Sequence, residues 1–207
     1  MTVGRLESLI KNNYFNEGKM EKNFVREYRH AVSQKNCLDL IFCYNEYTNS
    51  NLAVVSSGSE ENGGPLNRLD HNVILERALP SRVPILHEAL QAAWQKYCED
   101  FPFLQNTQVI SYTFKMQKTP PGGGFHTWHW EHNPQHLNRN RLAVWTLYLT
   151  EHEEGGETEF LAYGLRVKPE VGKLCIFPAD YTGVHRGNPI YDKDKYIVTG
   201  WFEYYYG

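Results

Sequence analysis

From about residue 107 to the end, the sequence is a series of short segments of strand-like composition. These segments are TQVISYTFKMQ, HTWHWE, RLAVWTLYLT, ETEFLAYGLRV, GKLCIFP and KYIVTGWFEYYY. The breaks between them are rich in glycine and proline, which form tight turns and interrupt strands. Many short strands at close spacing are typical of a β-sandwich or a barrel. We therefore predict a mainly β fold, a jelly roll, for the region 107–207.

The region 1–106 has a mixed pattern, and we expect its elements to support the β core. From Pro84 apolar residues recur at helical spacing, with proline in the first turn and Phe101 just past the end. This pattern predicts an amphipathic helix that covers a sheet. We also expect a short polar helix over residues 20–35, a hairpin formed by CLDLIFCYNEY and LAVVSS, and a loop over residues 57–65.

Length and composition indicate one globular domain over residues 1–207, because 41% of the 207 residues are hydrophobic. No apolar run approaches the roughly 20 residues that span a bilayer. The start, MTVGRLESLIKNN, lacks the apolar stretch of a secretory signal. A net charge of -3 disfavours nucleic acid as a partner, and the four cysteines form no CxxC pair. We expect a cytoplasmic protein with free thiols and without a membrane partner.

The densest group of potential metal ligands is the segment HTWHWEH at residues 126–132. Side chains alternate between the faces of a strand, so His129 and Glu131 would point the same way. A third ligand must come from elsewhere, and His185 is the histidine of the C-terminal strand region. Two histidines and one carboxylate on one face of a metal leave three open positions, as in non-haem iron(II) oxygenases. The remaining histidines nearby are expected to support the site through outer hydrogen bonds: His126, His132 and His136.

Lys195 begins the last strand segment, ten residues after His185. It would share a strand face with Ile197, Thr199 and Trp201, so we expect it to point inward among apolar neighbours. A buried cation requires an anionic partner. Three open positions at a metal suit a bidentate 2-oxoacid plus dioxygen, and Lys195 would then neutralise the other carboxylate of that cosubstrate.

An H-x-E pair, a distal histidine and a lysine ten residues beyond it resemble the signature of the 2-oxoglutarate and iron(II)-dependent oxygenases. Four segments resemble, in the same order, the signatures of the prolyl 4-hydroxylase-like branch of that family. They are RLAVWTLYLT, EEGGETEF, VKPEVGKLCIFP and HRGNPIYDKDKYIVTGW, and the resemblance covers about residues 108–203. It implies a double-stranded β-helix, the cupin-like jelly roll. The loop QKTPPGGGFHTWHWE is similar to that of phage and marine members, so a virus-encoded protein expressed in a host cell is an alternative origin.

The resemblance also implies roles for individual residues. His129, Glu131 and His185 would bind iron(II), and Lys195 would pair with the C5 carboxylate of 2-oxoglutarate. Tyr148 matches a tyrosine that hydrogen-bonds the same carboxylate in related enzymes.

The sequence departs from the family pattern at two positions. The tyrosine usually found near the C1 end of 2-oxoglutarate would fall near Lys118 or Thr119, so we expect Gln117 or Tyr112 to take its role. Glu131 replaces the commoner aspartate, and its extra methylene must be absorbed by a change of rotamer or backbone. Metal affinity or coupling would suffer from this change.

The activity implied is hydroxylation of a C–H bond, coupled to decarboxylation of 2-oxoglutarate to succinate, with ascorbate as a supporting reductant. The primary substrate is not identified, and only the family favours a peptidyl proline. Two alternatives stay open: a zinc-dependent hydrolase, since two histidines and a glutamate also hold catalytic zinc, and a non-catalytic metal-binding jelly-roll module. An inward Lys195 argues against the hydrolase. Three converging ligands argue against a structural metal, which usually has four.

Overall fold

The computed structural model describes residues 23–50, 53–57, 64, 66–132 and 139–206. Most of the predicted loop over 57–65 lies outside these residues. The helices are α1 (Gln34–Thr48), α2 (Leu75–Ala78) and α3 (Val83–Asp100). The strands are β1 (Arg26–Tyr28), β2 (Ser56–Ser57), β3 (Arg68–Leu69), β4 (His71–Ile74), β5 (Val109–Ile110), β6 (Lys115–Thr119), β7 (Gly124–Phe125), β8 (Arg141–Tyr148), β9 (Thr158–Phe160), β10 (Leu165–Val167), β11 (Leu174–Pro178), β12 (His185–Gly187) and β13 (Lys195–Tyr204).

The strands form one large antiparallel sheet and two small ones. The large sheet has the order β1-β11-β8-β13-β6-β4-β2, and β5 pairs with β13 at its side. The small sheets have the order β10-β9-β12 and the pair β3-β7. Strands β9, β10 and β12 cover one face of the large sheet, while α1 and α3 pack on the other. This arrangement is the predicted jelly roll with helical support.

Strand β8 shows how the two faces are built. Its alternate residues Ala143, Trp145 and Leu147 pack in the core shared with the helices. Val144 and Tyr148 point the other way, into the core shared with the small sheet. Because both faces are covered, β8 is almost continuously buried, and the functional residues that it carries lie on the face opposite the helices.

The predicted helix from Pro84 is confirmed as α3. Its buried side chains recur every three or four residues and face the large sheet, and they include Leu86, Leu90, Ala93 and Tyr97. Pro84 lies in the first turn, where backbone N–H groups have no partner within the helix, so the absence of an N–H costs no hydrogen bond.

The hairpin predicted from CLDLIFCYNEY is wrong, because this segment lies inside helix α1. The Ser33 side chain accepts a hydrogen bond from the backbone N–H of Asn36 at 3.3 Å and caps the helix. The buried residues of α1 follow a helical period: Cys37, Leu40 and Tyr44. Of LAVVSS, only Ser56–Ser57 forms a strand among the described residues.

The predicted polar helix over residues 20–35 is also wrong in its described part. Residues Arg26–Tyr28 form strand β1, which pairs with β11 and extends the large sheet by one strand. Among the described residues no helix is both long and apolar enough to cross a membrane. The four cysteines are free, and three of them are buried. The extent of a single domain over all 207 residues stays a prediction.

Candidate metal and cosubstrate site

A cavity of about 480 Å³ lies on the face of the large sheet that is opposite the helices. Strand β13 contributes one wall, where Lys195, Ile197, Thr199 and Trp201 all line the cavity. These are the four residues that alternation along the strand predicts to share a face. The opposite wall comes from the small sheets and the segment after β7, and it includes Phe125, His129, Glu131 and His185.

His129, Glu131 and His185 come together at this wall. One ligand atom from each of the three side chains lies within 4.8 Å of the others. The backbones of His129 and His185 pair directly, with N–H to O=C distances of 3.0 and 2.9 Å. Beyond this isolated bridge, the segment HTWHWE is not a strand, so the predicted strand is wrong although the two side chains converge.

Both imidazole rings are oriented by a carbonyl two residues earlier in the chain. His129 Nδ1 lies 2.8 Å from the Thr127 carbonyl, and His185 Nδ1 lies 3.0 Å from the Gly183 carbonyl. If each Nδ1–H donates to its carbonyl, each Nε2 keeps a free lone pair on the cavity side. This is the outer hydrogen-bond pattern typical of metal-binding histidines.

Glu131 has one engaged and one available carboxylate oxygen. Oε2 accepts hydrogen bonds from Arg141 Nη1 at 2.8 Å and from Trp201 Nε1 at 3.2 Å. Oε1 lies 3.6 Å from His129 Nε2. The backbone N–H of Glu131 donates to the Ala179 carbonyl at 2.9 Å. The glutamate side chain is thus held through Oε2 and offers only Oε1 toward the two histidines.

Arg141 reaches Glu131 because of an irregularity in strand β8. Phe202 pairs with Ala143 and Glu203 pairs with Arg141, so β8 has one extra residue, Leu142, between these pairs. Such a bulge reverses the alternation of side chains beyond it and turns Arg141 to the cavity face. Its guanidinium then stacks on the Trp201 ring, 3.5 Å from the ring centroid.

The electrostatics of the cluster favour ligands that are ready to bind a cation. Burial lowers the pKa of His129, and it lowers the pKa of His185 to about 4, so both rings are neutral at pH 7. Burial pushes the pKa of Glu131 upward, and attraction to the Arg141 guanidinium and the Trp201 hydrogen bond act against this effect. Its pKa is lowered overall, and the carboxylate is ionised.

Lys195 lies on the wall that β13 contributes, opposite the three potential ligands, and is only 7% exposed. Its ammonium group donates a hydrogen bond to the Gly156 carbonyl and lies 5.4 Å from the centroid of the Tyr148 ring. Burial lowers the pKa of Lys195 to about 8, although the charge of Glu157 opposes the shift. A cation that is buried at this cost can be stabilised by an anionic ligand in the cavity.

The other predicted cosubstrate residues differ in position. Gln117 lines the cavity, where it pairs across the sheet with Ile197. Tyr148 is fully buried, and its hydroxyl lies 2.7 Å from the Thr158 hydroxyl, which belongs to the cavity wall. Tyr112 is half exposed, and its hydroxyl donates to Glu203, so it does not reach the cavity.

Two of the three predicted outer histidines contact backbone carbonyls. His126 Nδ1 lies 3.3 Å from the Gly187 carbonyl, and His132 Nδ1 lies 2.9 Å from the Arg141 carbonyl. The third predicted outer histidine, His136, lies outside the described residues.

Sequence reasoning missed a buried ion pair in the cavity wall. Arg68 donates two hydrogen bonds to the carboxylate of Asp70, and both side chains are less than 10% exposed. The guanidinium of Arg68 lies 4.8 Å from the centroid of the Phe125 ring, and that ring stacks on His129 at 3.7 Å. The pair therefore supports the outer side of a cluster histidine. Its one sequence signal was the spacing of two opposite charges next to a hydrophobic segment, which is too common to be specific.

Comparison with known proteins gives independent information on this region. Residues 108–203 match the model of the 2OG-Fe(II) oxygenase superfamily. A probable prolyl 4-hydroxylase 9 from Arabidopsis thaliana is 33% identical, and the match covers 34% of this chain and 32% of that protein. The chain therefore matches only about a third of the length of this curated relative.

Two solved structures show the same fold. A viral collagen prolyl hydroxylase from Paramecium Bursaria Chlorella virus-1 superposes with a TM-score of 0.64 at 18% identity, covering 92% of this chain and 98% of that one. A Trichoplax adhaerens prolyl hydroxylase, solved with a hypoxia inducible factor peptide fragment, gives 0.69 at 17% identity, covering 98% and 94%. The jelly-roll prediction is confirmed by the fold of these structures, and the predicted resemblance is confirmed by the match of residues 108–203 to the model of the 2OG-Fe(II) oxygenase superfamily.

Proposed function

We propose that this protein is an iron(II)- and 2-oxoglutarate-dependent dioxygenase that hydroxylates a C–H bond of a second substrate. The observation that carries the proposal is the convergence of His129, Glu131 and His185 within 4.8 Å, in a cavity that also contains the buried Lys195. In this superfamily, bound iron(II) supplies the oxidation: 2-oxoglutarate, dioxygen and the C–H bond become succinate, carbon dioxide and an alcohol. The protein residues bind and orient these reactants and exclude water.

The donor set fits iron(II). Two neutral imidazole nitrogens and one carboxylate oxygen are the donor types that such iron sites use, and a metal held by them would border the cavity. We assign His129 Nε2, His185 Nε2 and Glu131 Oε1 as the iron ligands. Oε2 of Glu131 stays bound to Arg141 and Trp201, which favours a single metal–oxygen bond from this side chain.

The residues around the cluster fit the two ends of 2-oxoglutarate. Lys195 would pair with the C5 carboxylate, and Tyr148 would support it, since its ring lies beside the ammonium group. Gln117 pairs with Ile197, two residues along β13 from Lys195, and would contact the C1 end. Tyr112 is not assigned this role because its hydroxyl binds Glu203 instead.

We propose a proline residue in a peptide as the primary substrate. The relatives are named as prolyl hydroxylases, and one was solved with a peptide fragment. The cavity has two tryptophans in its wall, Trp201 and the half-exposed Trp130, and aromatic surfaces are well suited to proline rings. The cytoplasmic location stays a prediction.

Succinate formation tests the reaction class directly. The purified protein is incubated with iron(II), ascorbate and 2-oxoglutarate, with and without proline-containing peptides, and succinate is measured. Succinate above a metal-free control supports the dioxygenase, and a peptide that gains the mass of one oxygen atom supports the substrate. Matched peptides with alanine in place of proline should remain unchanged. A zinc hydrolase or a binding module would produce no succinate under any of these conditions.

Removal of the Arg141 side chain should weaken iron binding although Arg141 is not assigned as a ligand. In Arg141→Met, Oε2 of Glu131 loses its shortest hydrogen bond, so the carboxylate can rotate away from the single-oxygen arrangement. We expect the dissociation constant for iron(II) to rise by about tenfold or more, as for other outer partners of metal ligands. Chelator competition measures the change. Arg166→Met is the matched control, since Arg166 is 60% exposed and pairs with Glu159 outside the cavity; equal weakening in both variants would contradict the role of Arg141.

The affinity for 2-oxoglutarate should fall as the pH rises above about 8. The pKa of Lys195 is lowered to about 8, so the ammonium group of the free protein is charged below this pH and neutral above it. Each further pH unit should weaken binding by up to about tenfold, measured anaerobically by calorimetry with iron(II) present. Lys195→Arg keeps its charge to much higher pH and should remove the slope. An unchanged slope in that variant would show that another group titrates.

A further inference from the structure

Three polar side chains outside the cavity wall form a hydrogen-bonded chain: Thr150, His152 and Asp192. His152 Nδ1 lies 2.6 Å from Asp192 Oδ1, and His152 Nε2 lies 3.1 Å from Thr150 Oγ1. The His152 side chain is fully buried, although it lies in a connection between two strands. A buried histidine with both nitrogens engaged requires a reason, because polar groups are buried at a cost.

A threonine, a histidine and an aspartate linked in this order can also form a hydrolytic triad, in which the threonine is the nucleophile, the histidine is the base and the aspartate orients the histidine. The contacts argue against this use. Thr150 Oγ1 already accepts a hydrogen bond from the backbone N–H of Tyr196 at 3.0 Å, and no face of the His152 ring is exposed to a substrate. The chain of contacts therefore acts on the protein itself.

The first link runs from Thr150 to the backbone beside Lys195. The regular pairing of β8 with β13 ends at Tyr148 and Ile197. Beyond it, the N–H of Leu149 donates to the Tyr196 carbonyl at 2.9 Å, and the Thr150 hydroxyl accepts from the Tyr196 N–H. The threonine side chain thus replaces a backbone acceptor and extends the pairing of β13 to the residue that follows Lys195.

A second link runs from His152 through Gly156 to the Lys195 side chain. Gly156 has a φ of +71°, and its carbonyl accepts the hydrogen bond from the Lys195 ammonium group. A Cβ at Gly156 would lie 3.6 Å from Lys195 Cδ and 3.7 Å from His152 Cδ2. The imidazole ring and the lysine stem therefore both border the position that a side chain at Gly156 would occupy.

Asp192 supplies the third link, from the loop that leads into β13. The hydrogen bond from His152 is the main cause that lowers the pKa of Asp192 to about 2, so this carboxylate is ionised at any pH near neutrality. It joins the connection after β8 to the connection before β13. Both ends of the lysine, its backbone and its ammonium group, are therefore attached to segments that His152 holds together.

We propose that Thr150, His152 and Asp192 are positioning residues that hold the Lys195 ammonium group at the cosubstrate end of the cavity. This inference rests on the proposed function, in which Lys195 binds 2-oxoglutarate. It assigns a role in cosubstrate affinity to residues that line no part of the cavity.

Two substitutions test the positioning role. Thr150→Val keeps the shape of the side chain and removes the hydroxyl, and His152→Phe keeps a planar ring and removes both nitrogens. We expect each variant to raise the KM and the dissociation constant for 2-oxoglutarate by about threefold to tenfold, with kcat and iron affinity unchanged. Thr150→Ser, which keeps the hydroxyl, should restore the wild-type values. The double variant should be less than additive, because both changes break one chain of contacts.

The binding measurement separates this inference from the function on which it depends. Failure of the wild-type protein to bind 2-oxoglutarate by calorimetry would overturn the proposed function itself. If the wild type binds it and Thr150→Val and His152→Phe bind it equally well, the positioning role is wrong. A lower melting temperature with unchanged 2-oxoglutarate affinity would likewise reduce the three residues to a purely structural role.

Discussion

Replacement of His185 by alanine should abolish iron binding and succinate formation together. His185 is buried, and its backbone pairs with that of His129. Its Nδ1 is engaged with a carbonyl, so Nε2 is the nitrogen that faces the other two ligands, and alanine removes it. Loss of an outer partner alone weakens metal sites by about tenfold to a hundredfold, so loss of a direct ligand should exceed a hundredfold. Iron content after desalting and succinate production measure the two effects.

A matched substitution in the same region sharpens this experiment. His126 lies close to the cluster, but its Nδ1 contacts the Gly187 carbonyl, and it is not one of the converging ligands. His126→Ala should retain iron and turnover near the wild-type level. Stoichiometric iron in His185→Ala, or equal losses in the two variants, would disprove the assigned ligand set.

The second large effect is expected at Lys195, where methionine should remove 2-oxoglutarate binding and yet stabilise the fold. Truncation of one partner of a buried charge pair costs about 2–5 kcal/mol, so the dissociation constant for 2-oxoglutarate should rise by about 30-fold to a few thousandfold. Lys118→Met is the control, because Lys118 lies on the neighbouring strand and pairs with Asp194 at the surface. Calorimetry and the KM for 2-oxoglutarate report the result.

The opposite change in stability follows from the pKa of Lys195. Its folded value of about 8 lies below the ordinary value of 10.5, so the folded protein disfavours the charged form. The resulting cost, on the order of 3 kcal/mol, is fully present below pH 8 and disappears as the pH rises toward 10.5. Lys195→Met avoids it, and the melting temperature at pH 7 should rise by several degrees. A melting temperature that falls together with binding would indicate general damage.

Much of the candidate site follows from short-range rules. Alternation along β13 is a property of any strand, so the inward position of Lys195 could be predicted from sequence alone. His129 and His185 lie far apart in the chain, so no local pattern predicts that they pair. Their proximity could be inferred only from the residue types that a metal site needs. The structure brings the three potential ligands together, and their role as iron ligands stays a proposal.

The parts that sequence reasoning missed depend on contacts between distant segments. Arg141 would face the helices if alternation continued along β8, and only the extra residue in the pairing with β13 turns it to the cavity. The Arg68–Asp70 pair belongs to the wall only because β3 pairs with β7. Neither fact has a specific local signal in the sequence.

The errors in the first half have a different cause. Helix α1 is rich in aromatic and branched residues, which favour strands when their spacing is ignored. Its buried positions nevertheless follow a helical period, and this period, together with the Ser33 cap, was the decisive signal. Strand β1 has only three residues and is stabilised by its pairing with β11, which no local pattern predicts.

The position of Arg141 depends on the number of residues in β8, because the extra residue Leu142 shifts the pairing with β13. The type of side chain at position 142 is less important than its presence. The backbone of Leu142 carries its link to the site: its carbonyl accepts a hydrogen bond from the Ala179 N–H, and the Ala179 carbonyl accepts one from the Glu131 N–H. Many substitutions at Leu142 would leave this geometry intact. Deletion of the residue would return the strand to simple alternation and direct the guanidinium into the apolar layer beneath the helices. The support of the Glu131 carboxylate therefore depends on the presence of a residue at position 142, and loss of a single codon there would separate the carboxylate from Arg141.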